Sequence, residues 1–377
     1  MISPKLFRKD VPHKKLGDLV IFLDHIRKPI TSSDRVAGLI PYYGANGIQD
    51  YVKDFLFDED LVLLAEDGGH FEDADRGIAY KVSGKTWVNN HVHVLRPAEN
   101  INVNYLFRIL QNLDLSAYIN GTTRAKLTKA NAARIEIPLP PLAEQHSIAA
   151  LLDTADRILK LRKSAITKLD ELERSVFLQL IDDSNAENEI ALSAITINVR
   201  NINPAQLFTD QKFTYIDIAS VSNETKSIIS ENMFIGIDAP SRAKQEIKVN
   251  DVLVSTVRPN LNAVAKINHN YIKPVASTGF CVLRCDTTKI LPQVIFSVVK
   301  SKKFIEVMVN SASGASYPAV TDKIVKSYKF PKIKMNEQLR FAEFIDTCEK
   351  KRIHLNIQAS KLKRLIQSLQ HQSFEMN

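Results

Sequence analysis

The sequence repeats itself, and this repeat constrains the architecture more than any other feature. When the chain is shifted by 193 positions, residues 126–181 align with residues 319–374 without a gap and share 12 identities. The identities cluster around Pro138, Glu144 and Gln145, and they continue at helical spacing. We therefore interpret the chain as two copies of one unit, each made of a variable block followed by a more similar block.

Short apolar runs bounded by Gly, Asn and Asp fill the variable block of each copy. Leu61–Leu64 is such a run in the first copy and Val252–Val254 in the second. Runs of this length with this punctuation are typical of strands separated by turns. The sequence therefore predicts a mixed α/β domain in each copy.

The more similar blocks carry apolar residues in alternating steps of three and four, the spacing of a long helix with one apolar edge. About 38 residues at 1.5 Å each make a rod of about 57 Å, longer than a small domain needs. A single stripe of this kind is explained by burial against its own domain. Two equivalent helices most simply bury their apolar edges against each other, as an antiparallel, coiled-coil-like pair.

The predicted fold class is therefore α/β (α+β), with two mixed α/β domains separated by two long antiparallel helices in a pseudo-twofold internal repeat. The predicted boundaries are residues 1–136 for the first domain, 137–183 for the first helix, 184–329 for the second domain and 330–377 for the second helix.

Composition narrows the class of protein. Fifty Lys and Arg residues against 42 Asp and Glu give a net charge of +8, and residues 190–335 hold 19 basic and 10 acidic residues. This charge favours a polyanion such as nucleic acid as partner, although a solvated basic surface explains it as well. Three cysteines, an odd count that cannot build a disulfide framework, suit a reducing compartment. No stretch reaches the roughly 20 apolar residues that span a bilayer. We expect a cytoplasmic protein without membrane association.

Loops that the repeat aligns are candidates for contacts with nucleic acid. The loop of the second copy contains Arg and Asn, the residue types that pair bidentately with guanine and adenine. The loop residues there are Ser255, Thr256, Arg258 and Asn260. The aligned first loop, residues 66–73, is acidic and is either solvated or able to accept a hydrogen bond from a cytosine amino group.

The loops before the two helices are further candidates. They offer hydroxyls and cations for phosphate or base contact, although turn formation alone explains their glycines. The residues concerned are Thr122, Arg124 and Lys126 in the first copy and Ser316 and Tyr317 in the second.

Motifs for catalysis are missing from the sequence. A nucleotide hydrolase needs a Gly-x-x-x-x-Gly-Lys-Ser/Thr loop, and an adenine methyltransferase needs a Gly-rich cofactor loop with an Asp/Asn-Pro-Pro-aromatic segment. His91 and His93 alternate along a strand-like run and suggest a metal site with His70 or a carboxylate. A packed strand or a base-contacting edge is favoured instead, so the sequence predicts no catalytic residue and no metal site.

The segment Ile137-Pro-Leu-Pro-Pro-Leu-Ala-Glu-Gln-His-Ser-Ile and its echo from Phe330 resemble the helix start of the specificity subunit of Type I restriction-modification systems. The second copy departs from this motif, with Lys-Ile-Lys-Met at 332–335 in place of Leu-Pro-Pro-Leu. The resemblance covers nearly the whole chain. Segments of the first domain also resemble recurring parts of its recognition domains, and they supply the DNA-binding candidates Tyr42, Tyr43, Asn46, Asn89, Asn90 and His91.

The resemblance implies a non-catalytic DNA reader that serves in phage defence. Each recognition domain would read one half of a bipartite double-stranded DNA target, and the helices would dock two methyltransferase subunits. A restriction (translocase-nuclease) subunit would join for restriction. S-adenosylmethionine would sit on the methyltransferase, ATP and Mg on the restriction subunit, and no cofactor on this chain.

Helix residues are implied to form the helix seam or to dock partners. They are Glu144, Gln145, Ile148, Leu151, Leu169, Leu172, Glu337, Gln338, Phe341, Phe344, Leu362 and Leu365. A function from another class stays open at this point: a structural adaptor that bridges protein partners without reading DNA.

Overall fold

The computed structural model describes residues 11–69, 71, 77–120, 125–184, 188–314 and 317–374. The candidates Thr122, Arg124 and Ser316, and also His70, lie outside these residues. The chain divides into two compact units, the first made of Met1–Lys163 with Asn356–Asn377 and the second of Ser164–Leu355. No helix in the described part of the chain is both long and apolar enough to cross a membrane.

In the described residues of the first variable block there are ten strands and two short α-helices. The strands are β1 (His13–Lys15), β2 (Val20–Phe22), β3 (Ala37–Gly44), β4 (Gly47–Val52), β5 (Phe57–Asp58), β6 (Leu61–Ala65), β7 (Ala79–Val82), β8 (Lys85–Val88), β9 (Val92–Pro97) and β10 (Glu136–Pro138). The helices are α1 (Val103–Asn112) and α2 (Lys129–Ala133), and the long helix α3 (Leu142–Asp182) follows β10.

The second variable block repeats this plan with more elements. Its strands are β11 (Glu189–Ala191), β12 (Thr196–Ile197), β13 (Lys212–Ile216), β14 (Val221–Ser222), β15 (Ser227–Ile228), β16 (Asn232–Ile235), β17 (Ala243–Glu246), β18 (Val252–Ser255), β19 (Val264–Lys266), β20 (Val275–Ser277), β21 (Phe280–Cys285) and β22 (Lys329–Pro331). Its helices are α4 (Leu192–Ile195), α5 (Pro204–Leu207), α6 (Pro292–Lys300), α7 (Lys302–Asn310), α8 (Asp322–Ser327) and the long α9 (Met335–Phe374).

Sheet topology shows that the repeat includes the variable blocks. The first unit has sheets in the order β2-β9-β6-β7 and β4-β3-β8-β5, and the second has β12-β21-β18-β19 and β16-β13-β20-β17. In each unit a short pair, β1-β10 or β11-β22, immediately precedes the long helix. The predicted class of two mixed α/β domains with long helices is confirmed, and the duplication is clearer in topology than in sequence.

In each unit the inner sheet (β2-β9-β6-β7 or β12-β21-β18-β19) lies between two apolar cores, one of which it shares with the outer sheet (β4-β3-β8-β5 or β16-β13-β20-β17). In β6, Val62 and Leu64 join the core beneath α1 and α3, whereas Leu61 and Leu63 face the core shared with the outer sheet. β18 divides its residues between two cores in the same way. Successive side chains of a strand point to opposite faces, so a strand buried on both sides reads as an unbroken apolar run.

The long helices pack against each other within the second unit, and they run antiparallel there. Phe177 of α3 lies 5.9 Å from Phe341 of α9, ring centre to ring centre. Arg352 donates to Asp170 at 2.7 Å and to Glu173 at 2.6 Å, so higher numbers on one helix face lower numbers on the other. In the first unit, Ile366 of α9 packs against the core that contains Ile148 of α3.

The predicted seam is wrong at one position of α3. Leu172 is 47% exposed, and the neighbouring Glu173 is buried in its place. Glu173 reaches this position because Arg352 and Lys300 both lie within salt-bridge distance of its carboxylate. A buried carboxylate is tolerated only when cations or hydrogen bonds compensate it, and apolar periodicity does not register such a residue.

A buried glutamine fastens each long helix to its own domain. Gln145 is fully buried; its Oε1 accepts from the Asn102 N–H, and its Nε2 donates to the carbonyls of Asn100 and Pro140. Gln338 makes the same three bonds, accepting from Leu291 and donating to Lys289 and Ile333. The Glu-Gln pair of the repeat therefore marks a structural contact at the helix start. Helix α9 begins at Met335, three residues before Gln338.

A buried polar cluster ties strands of the first unit to the loop before α2. His93 is 1% exposed, with Nδ1 2.7 Å from Asp24 Oδ2 and Nε2 2.8 Å from the Leu127 carbonyl oxygen. Asp24 Oδ1 also accepts from the Val94 N–H. Burial raises the pKa of Asp24, but the hydrogen bonds from His93 and Val94 and the charges of His93 and Arg27 outweigh it, and the pKa falls below its ordinary value.

Replacing the second glutamine should destabilise the fold. Gln338→Leu keeps the volume but leaves one N–H and two carbonyls without their partner, each at about 1–3 kcal/mol when buried. We expect the unfolding free energy of the second unit to fall by about 2–4 kcal/mol. Urea denaturation followed by circular dichroism measures it. The exposed neighbour Asn336 supplies the control Asn336→Leu, and equal losses in both variants would contradict a role for the carboxamide.

The lowered pKa of Asp24 predicts how the first unit responds to acid. Because the folded pKa is depressed, the carboxylate stabilises the fold above its unfolded pKa of about 3.9, and this stabilisation is lost as pH falls through the folded pKa. Asp24→Asn should therefore lower the melting temperature at pH 7, with the gap to the unmodified chain closing below about pH 4. Thermal melts between pH 3 and 7 test this, with exposed Asp54→Asn as control; a gap independent of pH would refute it.

Candidate nucleic-acid interface

Three candidates of the first unit meet at one edge, where β3, β6 and β8 end. Asn46 Nδ2 donates to the Gly68 carbonyl at 3.2 Å, and His91 Nδ1 lies 2.5 Å from Asp67 Oδ1. Lys126 pairs with Asp67 through the backbone, and its Nζ lies 3.2 Å from Glu66 Oε1. The structure therefore brings these three candidates together, although the sequence gave no reason to group them.

The carboxylates behind this edge are already compensated. Arg27, which sequence reasoning missed, donates to Glu66 at 2.7 Å and to the Val92 carbonyl at 2.5 Å. Among the described residues, Asp24, Glu66 and His93 each offer a ligand atom within 4.8 Å of the others, as a metal site requires. Arg27 and Lys126 supply positive charge at that position instead.

Four candidates are buried inside the fold, so their prediction as DNA contacts is wrong. Tyr42 is 1% exposed beneath Arg35, and Asn89 is 4% exposed and accepts from the His91 N–H. In the second unit, Ser255 Oγ donates to the Val257 carbonyl, and buried Thr256 Oγ1 donates to Gly279. These polar groups satisfy loop backbone or neighbouring side chains, because a buried polar atom needs a partner. Their residue types alone did not distinguish this role from DNA contact.

The remaining candidates keep exposed or half-exposed side chains. Asn90 and Asn260 are exposed, and Tyr43 is half-buried 6.4 Å from the Tyr80 ring. Burial raises the pKa of Tyr43, so its hydroxyl stays protonated at neutral pH.

Arg258 and Tyr317 form the corresponding edge of the second unit. The Arg258 guanidinium lies 4.7 Å from the centre of the Tyr317 ring, and Tyr317 is 68% exposed. Arg258 has a left-handed backbone with φ +50°, and its N–H donates to the Pro318 carbonyl at 2.7 Å. Such a backbone costs a residue with a side chain about 1–3 kcal/mol, so the surrounding loop must hold it.

Lys226 supports this loop and was also missed from the sequence. Its Nζ donates to the Asn262 carbonyl at 2.7 Å, and Asn262 is itself left-handed with φ +47°. Burial, with repulsion from Lys300, lowers the pKa of Lys226. No sequence pattern marks this contact, because 36 residues separate its partners.

The two edges share a backbone frame and differ in chemistry. In the first unit the Leu127 N–H donates to the Glu66 carbonyl at 2.7 Å, and in the second the Val320 N–H donates to Thr256 at 2.8 Å. The isolated bridges Asn120–Lys126 and Ser313–Ala319 also correspond. On this shared frame the first edge carries paired acids, histidine and lysine, whereas the second carries an arginine stacked on a tyrosine.

The helix candidates divide into buried and exposed residues. Gln145, Gln338, Ile148 and Phe341 are buried in their own units and are therefore inaccessible to a partner. Glu144, Leu151, Leu169, Glu337, Phe344 and Leu362 are partly buried. Leu172 and Leu365 are 47% and 45% exposed, and they occupy equivalent positions in the repeat. They are the candidates that present apolar surface for docking.

Comparison with known proteins gives matches that agree with these features. Residues 8–174 match the family described as Type I restriction modification DNA specificity domain. A putative type I restriction enzyme specificity subunit of Haemophilus influenzae, S.HindORF215P, is 44% identical over 144 residues, which cover 38% of this chain and 37% of that protein. The MjaVIII specificity subunit of Methanocaldococcus jannaschii is 20% identical over 367 residues, covering 87% of this chain and 84% of that protein.

A solved structure shares the fold over the whole length. The S subunit of a Type I restriction-modification system from M. genitalium superposes with a TM-score of 0.66 at 14% identity, covering 98% of both chains. The chain is therefore similar to specificity subunits of Type I restriction-modification systems: residues 8–174 match their DNA specificity domain, and the fold over the whole length is that of a solved S subunit.

Proposed function

We propose that this chain reads DNA sequence for a Type I restriction-modification complex, with each unit contacting one half of a bipartite target. The observation that carries the proposal is Arg258. Within the described part of the chain, its guanidinium pairs with no carboxylate, and its loop holds it in a strained backbone conformation. Strain retained at an exposed residue is typical of a binding position.

The guanidinium of Arg258 suits the major-groove edge of guanine. Its fork of donors matches the O6 and N7 acceptors, and stacking on Tyr317 restricts its rotation before binding. The surrounding residues 190–335, with 19 basic and 10 acidic residues, favour approach to phosphate.

The first unit offers a complementary set of groups. Asp67 and His91 sit side by side at its edge, beside exposed Asn46 and Asn90. A carboxylate accepts from the cytosine amino group, and an asparagine pairs with adenine. We infer that the two units read different bases, since the same frame carries different side chains.

Partner proteins supply the chemistry in this proposal. Two methyltransferase subunits dock on the long helices, bringing S-adenosylmethionine, and a restriction subunit brings ATP and Mg. This chain is a non-catalytic subunit that works in the cytoplasm. Support comes from the missing catalytic motifs and from exposed leucines on both long helices. The alternative, an adaptor that reads no DNA, predicts no steep salt dependence of duplex binding by the assembled complex.

Arg258→Ala should weaken discrimination at one base pair of one half-site by about 1–3 kcal/mol. Arg258→Lys keeps the charge but loses the fork, so it should lose most of the same discrimination. Methylation of a library of single-base target variants by the assembled complex measures both. The exposed Lys302, 78% accessible, supplies the control Lys302→Ala. An equal loss on every sequence would make Arg258 a phosphate contact.

Apolar docking on the helices predicts a second result. Leu172→Asp and Leu365→Asp place a charge on exposed apolar positions, so each should weaken assembly with methyltransferase subunits by at least about tenfold while the chain stays folded. Co-purification and sedimentation measure assembly, and circular dichroism checks the fold. Leu39, 90% exposed in the first domain, gives the matched control Leu39→Asp. Normal assembly of both helix variants would exclude these positions from the interface.

A further inference from the structure

An open cleft of about 440 Å³ lies on the outer sheet of the second unit. The residues that line it include Tyr215, Asp217, Asn232, Phe234, Ser241 and Arg242. The cleft has the size of a small-molecule site and combines an aromatic wall with a few polar groups, as such sites do.

Strand pairing explains how these residues converge. Tyr215 of β13 lies directly opposite Asn232 of β16, and Asp217 and Phe234 follow two residues later on their chains. Residues two apart on a strand share a face, so Asn232 and Phe234 of β16 point to the same side as Tyr215. Asp217 lies just beyond the end of β13 and lines the same cleft. The Tyr215 and Phe234 rings are 6.0 Å apart at 74°.

The first unit has the same arrangement, but there the space is filled. Tyr42 of β3 lies opposite Asp50 of β4, in the register that Tyr215 and Asn232 occupy. Arg35 covers the site, with its guanidinium 4.5 Å from the Tyr42 ring centre and its Nη1 3.1 Å from Asp50 Oδ2. In the first unit, therefore, the group that stacks on the tyrosine is planar and carries a fork of donors.

Within the described residues of the second unit, no cation stacks on Tyr215. The carboxylate also lies at a different position: Asn232 replaces Asp50 opposite the tyrosine, and Asp217 is the acid that lines the cleft. Asp217 Oδ1 accepts from the N–H and the hydroxyl of Ser220, at 2.9 and 2.8 Å. No hydrogen bond to its Oδ2 is formed by the described residues, so this oxygen is available to a donor from a ligand. Arg242 lies exposed at the rim, where it adds a positive charge.

We propose that this cleft binds an unpaired guanine nucleotide. Guanine carries N1–H and the 2-amino group on one edge, the donor fork that Arg35 supplies in the first unit, and Asp217 would accept from it. Half-buried Phe234, with the 6% of Tyr215 that stays exposed, provides the aromatic wall for the base, and Arg242 would meet the phosphate. An enzyme or reader reaches this edge of a base only when the base is out of the duplex.

A nucleotide fits the cleft better than an arginine side chain from a partner protein. Arg242 at the rim repels a second guanidinium but attracts a phosphate. Residues 190–335, which contain the cleft, also carry 19 basic and 10 acidic residues. The inference goes beyond the duplex reading proposed for Arg258, and a mononucleotide tests it separately.

The test is calorimetric titration of the full chain with dGMP, dAMP, dCMP and dIMP. We expect saturable binding of dGMP, and binding at least about tenfold weaker for dIMP, which lacks the 2-amino donor. Deoxyguanosine should bind more weakly than dGMP, and Arg242→Gln should abolish that difference. A single-stranded oligonucleotide with one guanine, compared with its duplex, distinguishes a DNA base from a free nucleotide as the source.

Asp217→Asn is the decisive variant, since its remaining oxygen still accepts from Ser220 while the free oxygen becomes a donor. It should weaken dGMP binding at least about tenfold. Asp238→Asn makes the same charge change on an exposed residue outside the cleft and should leave binding unchanged. Three outcomes would overturn the proposal: no saturable binding of dGMP, equal binding of dAMP, or binding of arginine amide in place of dGMP. None of them bears on discrimination by Arg258.

Discussion

The buried carboxamides of Gln145 and Gln338 are the contacts on which the rest of the structure depends. Each joins the first turn of a long helix to the backbone that leads into a helix of its own domain. Each also donates to a carbonyl five residues earlier, at the end of the short strand pair. Because a carboxamide satisfies one donor and two acceptors at fixed angles, it sets how the helix leaves the domain. The long helix is therefore attached to its domain by equivalent bonds in both copies of the repeat.

Different residues of this duplicated frame carry stability and the proposed recognition. Arg96 holds Glu59 with two hydrogen bonds in the first unit, and Arg284 holds Asp251 with two in the second. Those paired ions and the central strands recur in both units. The loops at the sheet edges differ, from the paired Asp67 and His91 to the stacked Arg258. Loop chemistry can thus change without disturbing the frame that positions it.

Sequence reasoning succeeded where the signal was periodic or repeated. Helical spacing located α3 and α9, and short apolar runs located β6 and β18, because burial imposes both patterns directly. It failed where tertiary contacts decided the outcome. Glu173 is buried because two cations compensate it, and Tyr42 and Thr256 are buried although their residue types suit DNA contact. Arg27 and Lys226 joined the sites through partners remote in sequence.

The division of α9 between the units has a consequence for the order in which the protein matures on the ribosome. Its residues up to Leu355 belong to the second unit, whereas those from Asn356 onward complete the first. Ile366 packs against the core that holds Ile148, so the unit synthesised first is completed by chain that is synthesised after the second unit. Domains usually fold as they emerge, from the N-terminal end onward. Here part of the core of the first unit stays uncovered until the second unit has been synthesised.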